Sequence, residues 1–582
     1  MTEERRPGWI GRLEWALAGL AGAIALGLHL VRCFHAGGLW RDEAAAVALA
    51  RLPTFTEVWH SFQHEAFPLL VPALLRAFTA LAGDGDGALR VLGLAVGLGV
   101  LAAFAASSWL TARTPPLAGW ALLGINAPLL VFGDSLRGYG LGTLAAVLAF
   151  AFLARMLAEP RPLWIGAAAL AALAAVQCLF PNAALVLSAC AAAAVVTARR
   201  GRRRAIVAAA AIGAVAALSL LPYAAPLAAA RSWNVVVTYP TSLRQILAVL
   251  IATVGPPPGA ALWGALLLAA VGSGIALSVA GRQRRPETAE SPPPAAPPAG
   301  AAPADLVLFG LLTLGLAGAG FAAFLLRLSY TPRAWYFLPL LGVAAAALDM
   351  VLAQAPRAAA ARAGSAGGAA TPSAGPRRRN GLRWLDWLRW LQLLRPAVAV
   401  AALLALVPPA LDKAVMRQTN VDLVARRVAE LAAGGDLVVV VPWADGVSFR
   451  RYYRGAAAWT TLPALADLRI HRYDLLKAKL ASAQPIDDVL AAAGAALRSG
   501  HRVFLAGTIR FPAPGEPVPH LPPAPASAWG WHDIAYTEVW SRQLGDFVAR
   551  HARRLAPVPL PPAGPVSRFE DLALTVADGW SG

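Results

Sequence analysis

The stretch FPLLVPALLRAFTALA, residues 67–82, decides how many times this chain crosses a membrane. It is apolar enough to suggest a span, but it is short and carries Pro72 and Arg76. If it crossed, the gap holding Arg199, Arg200, Arg202, Arg203 and Arg204 would fall on the outer side. Basic residues collect in short cytoplasmic loops, so the segment reads as a helix lying at the membrane surface.

With that segment set aside, spans are expected near 13–34, 89–110, 117–133, 138–157, 163–180, 182–198, 205–224, 258–280, 305–327, 334–353 and 394–411. Runs of about 20 apolar residues suffice to cross a ~30 Å hydrocarbon core. The first run follows Arg5, Arg6 and Arg12. It reads as an uncleaved span, because a signal peptide has a shorter apolar core and a small-residue cleavage site. With the N-terminus inside, the cytoplasmic gaps hold Arg113; Arg155 and Arg161; the five arginines at 199–204; Arg282, Arg284 and Arg285; and the arginines from Arg357 to Arg395. The opposite gaps are poorer in positive charge, as the positive-inside rule requires.

Composition agrees. The chain has 582 residues, 58% hydrophobic and 14% charged, against about 25% charged in soluble domains. Its net charge of +19 would suit nucleic acid, but the arginines sit in the gaps between apolar runs, which excludes that partner. Cys33, Cys178 and Cys190 lie in or beside apolar runs and match neither a disulfide framework nor a metal-ligand spacing. Residues 286–304, rich in Pro and Ala, and 355–382, rich in Ala, Gly and Arg, read as disordered cytoplasmic linkers.

The expected fold is therefore mainly α: a polytopic transmembrane module, residues 1–411, with about eleven spans. A small α/β domain, residues 412–582, lies outside, in the periplasm of a bacterial inner-membrane protein. In that domain an amphipathic stretch (Val421 to Leu431), a Gly434-Gly435-Asp436 turn and the strand LVVVVPW (437–443) precede a second helix-to-strand step, Ile486 to Arg498 and then RVFLAG (502–507). Such repeats suggest a parallel sheet. Residues 511–525 read as a Pro-rich loop.

The first outer loop, residues 35–88, holds Asp42, Glu43, Glu57, Glu65, Asp84 and Asp86, with His35, His60 and His64. From residue 65 to 470 there is no histidine. A long acidic loop at a membrane face is a candidate catalytic platform. Its sharpest element is Trp40-Arg41-Asp42-Glu43-Ala44. Asp42 and Glu43 could simply cap a helix beginning at Ala44, or a carboxylate there could take a proton from an incoming nucleophile.

The acidic Asp-Glu-Ala after the first span resembles the bacterial relatives of the protein O-mannosyltransferases. These GT-C fold glycosyltransferases include the lipid A aminoarabinose transferases and the rhizobial lipopolysaccharide galacturonosyltransferases. Further segments follow in the same order. His64-Glu65-Ala66-Phe67-Pro68-Leu69 resembles the family's His-Pro-Pro-Leu-Tyr, with one proline kept and the tyrosine absent. Ala88-Leu89-Arg90-Val91 resembles the Ala-Leu-Arg that opens the second span, and Ser135-Leu136-Arg137-Gly138-Tyr139 an Arg-x-Tyr motif. Pro332-Arg333-Ala334-Trp335-Tyr336-Phe337-Leu338-Pro339 resembles the late Arg-Tyr…Pro segment with two residues inserted. The resemblance covers roughly residues 10–410.

The resemblance implies a transferase that moves a sugar from a polyprenyl-phosphate donor to an envelope lipid, polysaccharide or protein, with inversion. Asp42 would be the general base and Glu43 its catalytic neighbour. Glu65, Arg90, Arg137, Tyr139, Arg333 and Tyr336 would bind substrate. Arginine suits a lipid-phosphate leaving group because its planar fork matches phosphate oxygens, although each of these arginines could instead snorkel to the interface. Trp40, Trp335 and Tyr336 could stack on a sugar or sit at the membrane interface. The family has metal-dependent and metal-independent members, so a divalent metal is left open and no metal site is assigned. The rival readings are a lipid flippase or transporter and a non-catalytic protein with an outer binding domain. Ion-coupled transport is disfavoured because the spans carry almost no acids at mid-depth.

Overall fold

A chain crossing hydrocarbon must bond every backbone N–H internally, and the apolar runs do so as helices. The computed structural model describes residues 8–65, 67–282, 302–367, 383–513, 515–524 and 533–582. The first helices are α1 (Trp9–His35), α2 (Arg41–Ala50), α3 (Phe55–Ser61), α4 (Leu70–Ala82), α5 (Asp86–Ala112), α6 (Gly138–Ala158), α7 (Pro162–Cys178) and α8 (Asn182–Ala198). Then come α9 (Arg203–Leu218), α10 (Ala224–Ala230), α11 (Leu243–Val254), α12 (Pro257–Arg282), α13 (Pro303–Leu328), α14 (Leu338–Gly367) and α15 (Arg383–Ala414).

Among the described residues eight helical segments are long and apolar enough to cross a membrane: α1, α5, α6, α9 with α10, α12, α13, α14 and α15. The protein is a multi-pass membrane protein. Three of the eleven expected spans differ. Helices α7 and α8 have 17 residues each, only about 26 Å at 1.5 Å per residue. The stretch 117–133 breaks into two short π-helical pieces, Ala118–Gly124 and Leu129–Gly133. Asn126 bridges the break: its Oδ1 accepts the Leu129 N–H at 3.2 Å and its Nδ2 donates to the Thr253 carbonyl at 2.9 Å.

The segment 67–82 supplies α4, whose 13 residues reach about 20 Å, well short of a bilayer core. It buries Val71, Pro72 and Leu75. Arg76 donates to the carbonyls of Ala50 and Leu52 at 3.0 and 2.8 Å, pegging α4 to the end of α2.

Helix α14 runs on through Gly367, into the stretch expected to be a linker from 355. It is held there by burial of Ala355, Ala358 and Ala359 and by Arg357 donating to the Ala112 carbonyl at 2.6 Å. Residues 368–382 and 283–301, which include most of both expected linkers, lie outside the described residues.

The C-terminal domain is a five-stranded sheet in the order β2-β1-β3-β5-β4, with β1 (Leu437–Val441), β2 (Ala458–Thr461), β3 (Val503–Gly507), β4 (Ala552–Pro557) and β5 (Leu574–Trp580). Strand β1 is parallel to β2 and β3, as the helix–strand repeats predict, while β5 and β4 add antiparallel. Strand β1 is apolar at every position because both its faces are covered. Val439 and Val441 join one core with Leu505, Leu544 and Trp540, and Val438 and Val440 join another with Phe449 and Val424.

The domain sits on the end of the bundle where α1 and α15 finish and α5 begins. Gln418 N–H bonds to the Ala36 carbonyl at 2.9 Å. The Tyr452 hydroxyl donates to Asp86 at 2.7 Å and accepts the Leu39 N–H at 2.5 Å, and Arg451 pairs with Asp86 at 2.8 Å. At the opposite end Arg395 bonds Glu14 at 3.0 Å and approaches Asp349 at 3.5 Å. Asp349 in turn accepts the N–H groups of Ala118 and Gly119, each at 3.0 Å, capping the first π-helical piece.

Candidate active site

The chain leaves α1, turns through Gly37 in the left-handed region (φ +71°) and re-enters a helix at Arg41. Helix α2 therefore begins three residues earlier than the Asp-Glu pair would set it as a cap. Asp42 and Glu43 occupy its first turn, where the dipole favours acids, but no side chain caps it from Trp40. The Arg41 N–H, one of the helix's orphan donors, goes to the C-terminal domain instead: Glu570 Oε2 accepts it at 3.0 Å.

The two adjacent carboxylates differ completely. Glu43 is 1% exposed. Arg90 donates to both its oxygens, at 2.9 and 3.0 Å, and Leu136 N–H to one, at 3.2 Å. Arg90 also donates to the carbonyls of Gly37 and Gly38, at 3.3 and 2.5 Å. Each nitrogen of its fork thus has a protein acceptor. Together Glu43 and Arg90 tie the glycine turn, α2, α5 and the 135–137 loop into one platform.

Asp42 stays open, with its side chain 20% exposed. Among the described residues it accepts no side-chain hydrogen bond, and its closest cation is Arg41 at 3.6 Å. Burial by itself would raise this carboxyl, but Arg137, His471, Arg41 and Arg333 hold it below its ordinary value. It is ionised at neutral pH.

Arg137 is buried, donates to Glu65 at 2.8 Å and to the Asp42 carbonyl at 3.3 Å, and lies over the Phe67 ring at 4.5 Å. Burial raises the Glu65 carboxyl, opposed by Arg137. Arg333 is exposed and, among the described residues, makes no ion pair, yet its charge reaches Asp42 and Tyr336. Tyr139 and Tyr336 also lie within electrostatic reach of Asp42. All eight residues singled out in the sequence thus gather around the start of α2. Trp40 does not face the opening; it is buried among Phe132, Trp335 and Phe569, with ring centroids 6.1–6.4 Å away.

Sequence reading missed what the C-terminal domain brings. His471 is 7% exposed, packed edge-on to Trp443 at 6.1 Å and beside Tyr473. Burial pushes its imidazole down to about 4, despite the pull of Asp42, so it is neutral at pH 7. Asp445 lies 3.7 Å from Arg41, and burial lifts its carboxyl to about 6. Glu570, hydrogen-bonded to Ser448, is pushed up by burial and by Asp445. Nothing local marks these residues; the one available signal was that 471 ends a long histidine-free stretch.

Among the described residues, four buried polar atoms around Asp42 have no hydrogen-bond partner: Glu65 Oε1, Arg137 Nε, Asp445 Oδ1 and His471 Nε2. A dry unpaired polar group costs about 1–3 kcal/mol. No three His, Cys, Asp or Glu side chains converge as metal ligands among the described residues.

No protein-family model matches the chain, and no curated protein matches it. Among solved structures it is similar to ArnT from Cupriavidus metallidurans bound to undecaprenyl phosphate, at 15% identity over 84% of this chain and 92% of that one, TM-score 0.48. It is also similar to the oligosaccharyltransferase AglB from Archaeoglobus fulgidus in complex with an inhibitory peptide and a dolichol-phosphate. There the identity is 13%, over 86% of this chain and 70% of that one, TM-score 0.43. A third is the arabinosyltransferase EmbB from Mycobacterium smegmatis, at 14% identity over 71% of this chain and 42% of that one, TM-score 0.37.

Proposed function

We propose that the protein is a GT-C fold membrane glycosyltransferase that transfers a sugar from a polyprenyl-phosphate donor to an envelope acceptor on the periplasmic face. The observation that carries the reading is Asp42: an ionised carboxylate, open on one side and without a hydrogen-bonding side chain, ringed by Arg41, Arg137 and Arg333. A proton acceptor beside cations is what transfer from a lipid phosphate needs. The ordered motifs of the first 410 residues point the same way.

In this reading Asp42 takes the proton of an acceptor hydroxyl as its oxygen bonds to the anomeric carbon. The bond from that carbon to the phosphate oxygen breaks on the opposite side, and its electron pair leaves with the polyprenyl phosphate. Arg333 and Arg137 offset the charge developing there. Arg333 is the more accessible of the two, while Glu65 fixes Arg137. Glu43 and Arg90 hold the platform, a positioning role. Tyr139 and Tyr336 line the sugar side. The arginine-rich gaps support a site end of the bundle, with the C-terminal domain on it, that lies outside the cytoplasm.

The test compares envelope glycolipids and polysaccharides by mass spectrometry in wild type, a deletion strain, and the deletion complemented with Asp42→Asn at matched expression. Loss of one sugar in the deletion, not restored by Asp42→Asn, supports the reading and identifies sugar and acceptor together. Full restoration by Asp42→Asn removes the base and moves the reading to a flippase or a binding protein.

A further inference from the structure

The partnerless atoms around Asp42 are of mixed kind. Arg137 Nε–H can only donate, Glu65 Oε1 and Asp445 Oδ1, as carboxylate oxygens, accept, and the neutral imidazole of His471 can do either at Nε2. All four residues are more than nine-tenths buried. Two come from the transmembrane module and two from the C-terminal domain, more than 300 positions later in the chain.

Their residues are linked to Asp42 and its neighbours. Arg137 bonds the Asp42 carbonyl and Glu65, and Arg41, next to Asp42, faces Asp445 at 3.7 Å. His471 is wedged between Trp443 and Tyr473, and Tyr473 stacks on Trp233 with ring centroids 5.3 Å apart. A phosphate offers acceptors only and would leave Glu65 and Asp445 unmatched. A ring of hydroxyls, each both donor and acceptor, matches the whole set, and the aromatic wall offers an apolar face to its C–H groups.

We infer that His471 and Asp445 of the C-terminal domain are specificity residues that hydrogen-bond the hydroxyls of the donor sugar, so that this domain supplies half of a saccharide subsite completed by Glu65 and Arg137. The inference rests on the reading of Asp42 as the transfer site. The C-terminal domain is then part of the donor site rather than an accessory to it.

The test uses the full-length chain in detergent and two probes: polyprenyl phosphate without sugar, and lipid-linked sugars extracted from membranes of the deletion strain. Bound lipid is measured by mass spectrometry after gel filtration. The sugar-bearing lipid is expected to bind about tenfold or more tightly than the bare lipid. His471→Ala and Asp445→Ala should each bring that ratio close to one while leaving bare-lipid binding unchanged. His471→Gln, which keeps a donor and an acceptor, should retain most of the ratio. No preference in the wild type, an unchanged ratio in both alanine variants, or equal weakening of both probes would overturn the inference. Asp42→Asn separates the two readings: it should keep the preference and lose transfer. Normal transfer by Asp42→Asn removes the base, while the preference ratio still judges the subsite.

Discussion

Asp42 and Glu43 differ by one methylene and one position, yet their substitution should give opposite phenotypes. Glu43→Ala leaves the buried Arg90 guanidinium without its bidentate partner and strands the Leu136 N–H. Breaking a buried pair costs about 3–5 kcal/mol. Arg90 keeps its bonds to Gly37 and Gly38, so the lower end, about 3 kcal/mol, is expected. In a chain this large that corresponds to a fall in Tm of about 2–3 °C. Asp42→Asn removes no side-chain hydrogen bond seen among the described residues, so its Tm should stay within about 1 °C of wild type while transfer falls by about 10²–10⁴-fold. The assay is a tryptophan-fluorescence melt of the purified full-length protein beside the envelope mass spectrometry. Glu43→Leu with Arg90→Met should recover part of the Tm, because no charge is then left buried alone. A Glu43→Ala protein that melts like wild type refutes the platform, and an Asp42→Asn protein that still transfers refutes the base.

Arg333→Ala should weaken binding of bare polyprenyl phosphate about tenfold with no change in Tm, and Arg333→Lys should restore it only in part, since lysine lacks the planar fork; unchanged affinity in Arg333→Ala would remove it from the phosphate site. Asp445 has a folded value of about 6, above an unfolded value near 3.9. Its contribution to stability is full below about pH 4 and is lost as pH rises through about 6. Asp445→Asn should therefore flatten the decline of Tm over that window and stabilise the protein at pH 7 by up to about 3 kcal/mol; a decline that persists in the variant assigns it to another group. Asp349→Ala should destabilise by about 2 kcal/mol or more, read as a lowered Tm, because it strands two backbone N–H groups while Arg395 keeps Glu14. Wild-type Tm in that variant would mean that the network contributes nothing.

Much of the architecture could be read along the chain because it depends on local composition. Hydrocarbon tolerates only long apolar helices, so the eight long segments show directly, and so does the shortness of 67–82. Breaks do not show in the same way: the split at Asn126 depends on Thr253, which accepts from its side chain only in the folded bundle. The extension of α14 likewise depends on Arg357 reaching the end of α5.

At the site, sequence determined which residue types stand at the ends of the apolar runs: the Asp42-Glu43 pair and the arginines at 90, 137 and 333. Only the tertiary structure decided their burial and their partners. An arginine beside a span reads the same whether its fork is filled by Glu43 and two carbonyls, as Arg90 is, or faces solvent, as Arg333 does. Burial and partners are set by what packs on top. What packs on α2 is a domain whose residues stand roughly 400 to 530 positions away. Glu570 on the helix terminus, and Asp445 and His471 near Asp42, meet that helix only because the sheet docks there. No spacing along the chain encodes a contact made by docking.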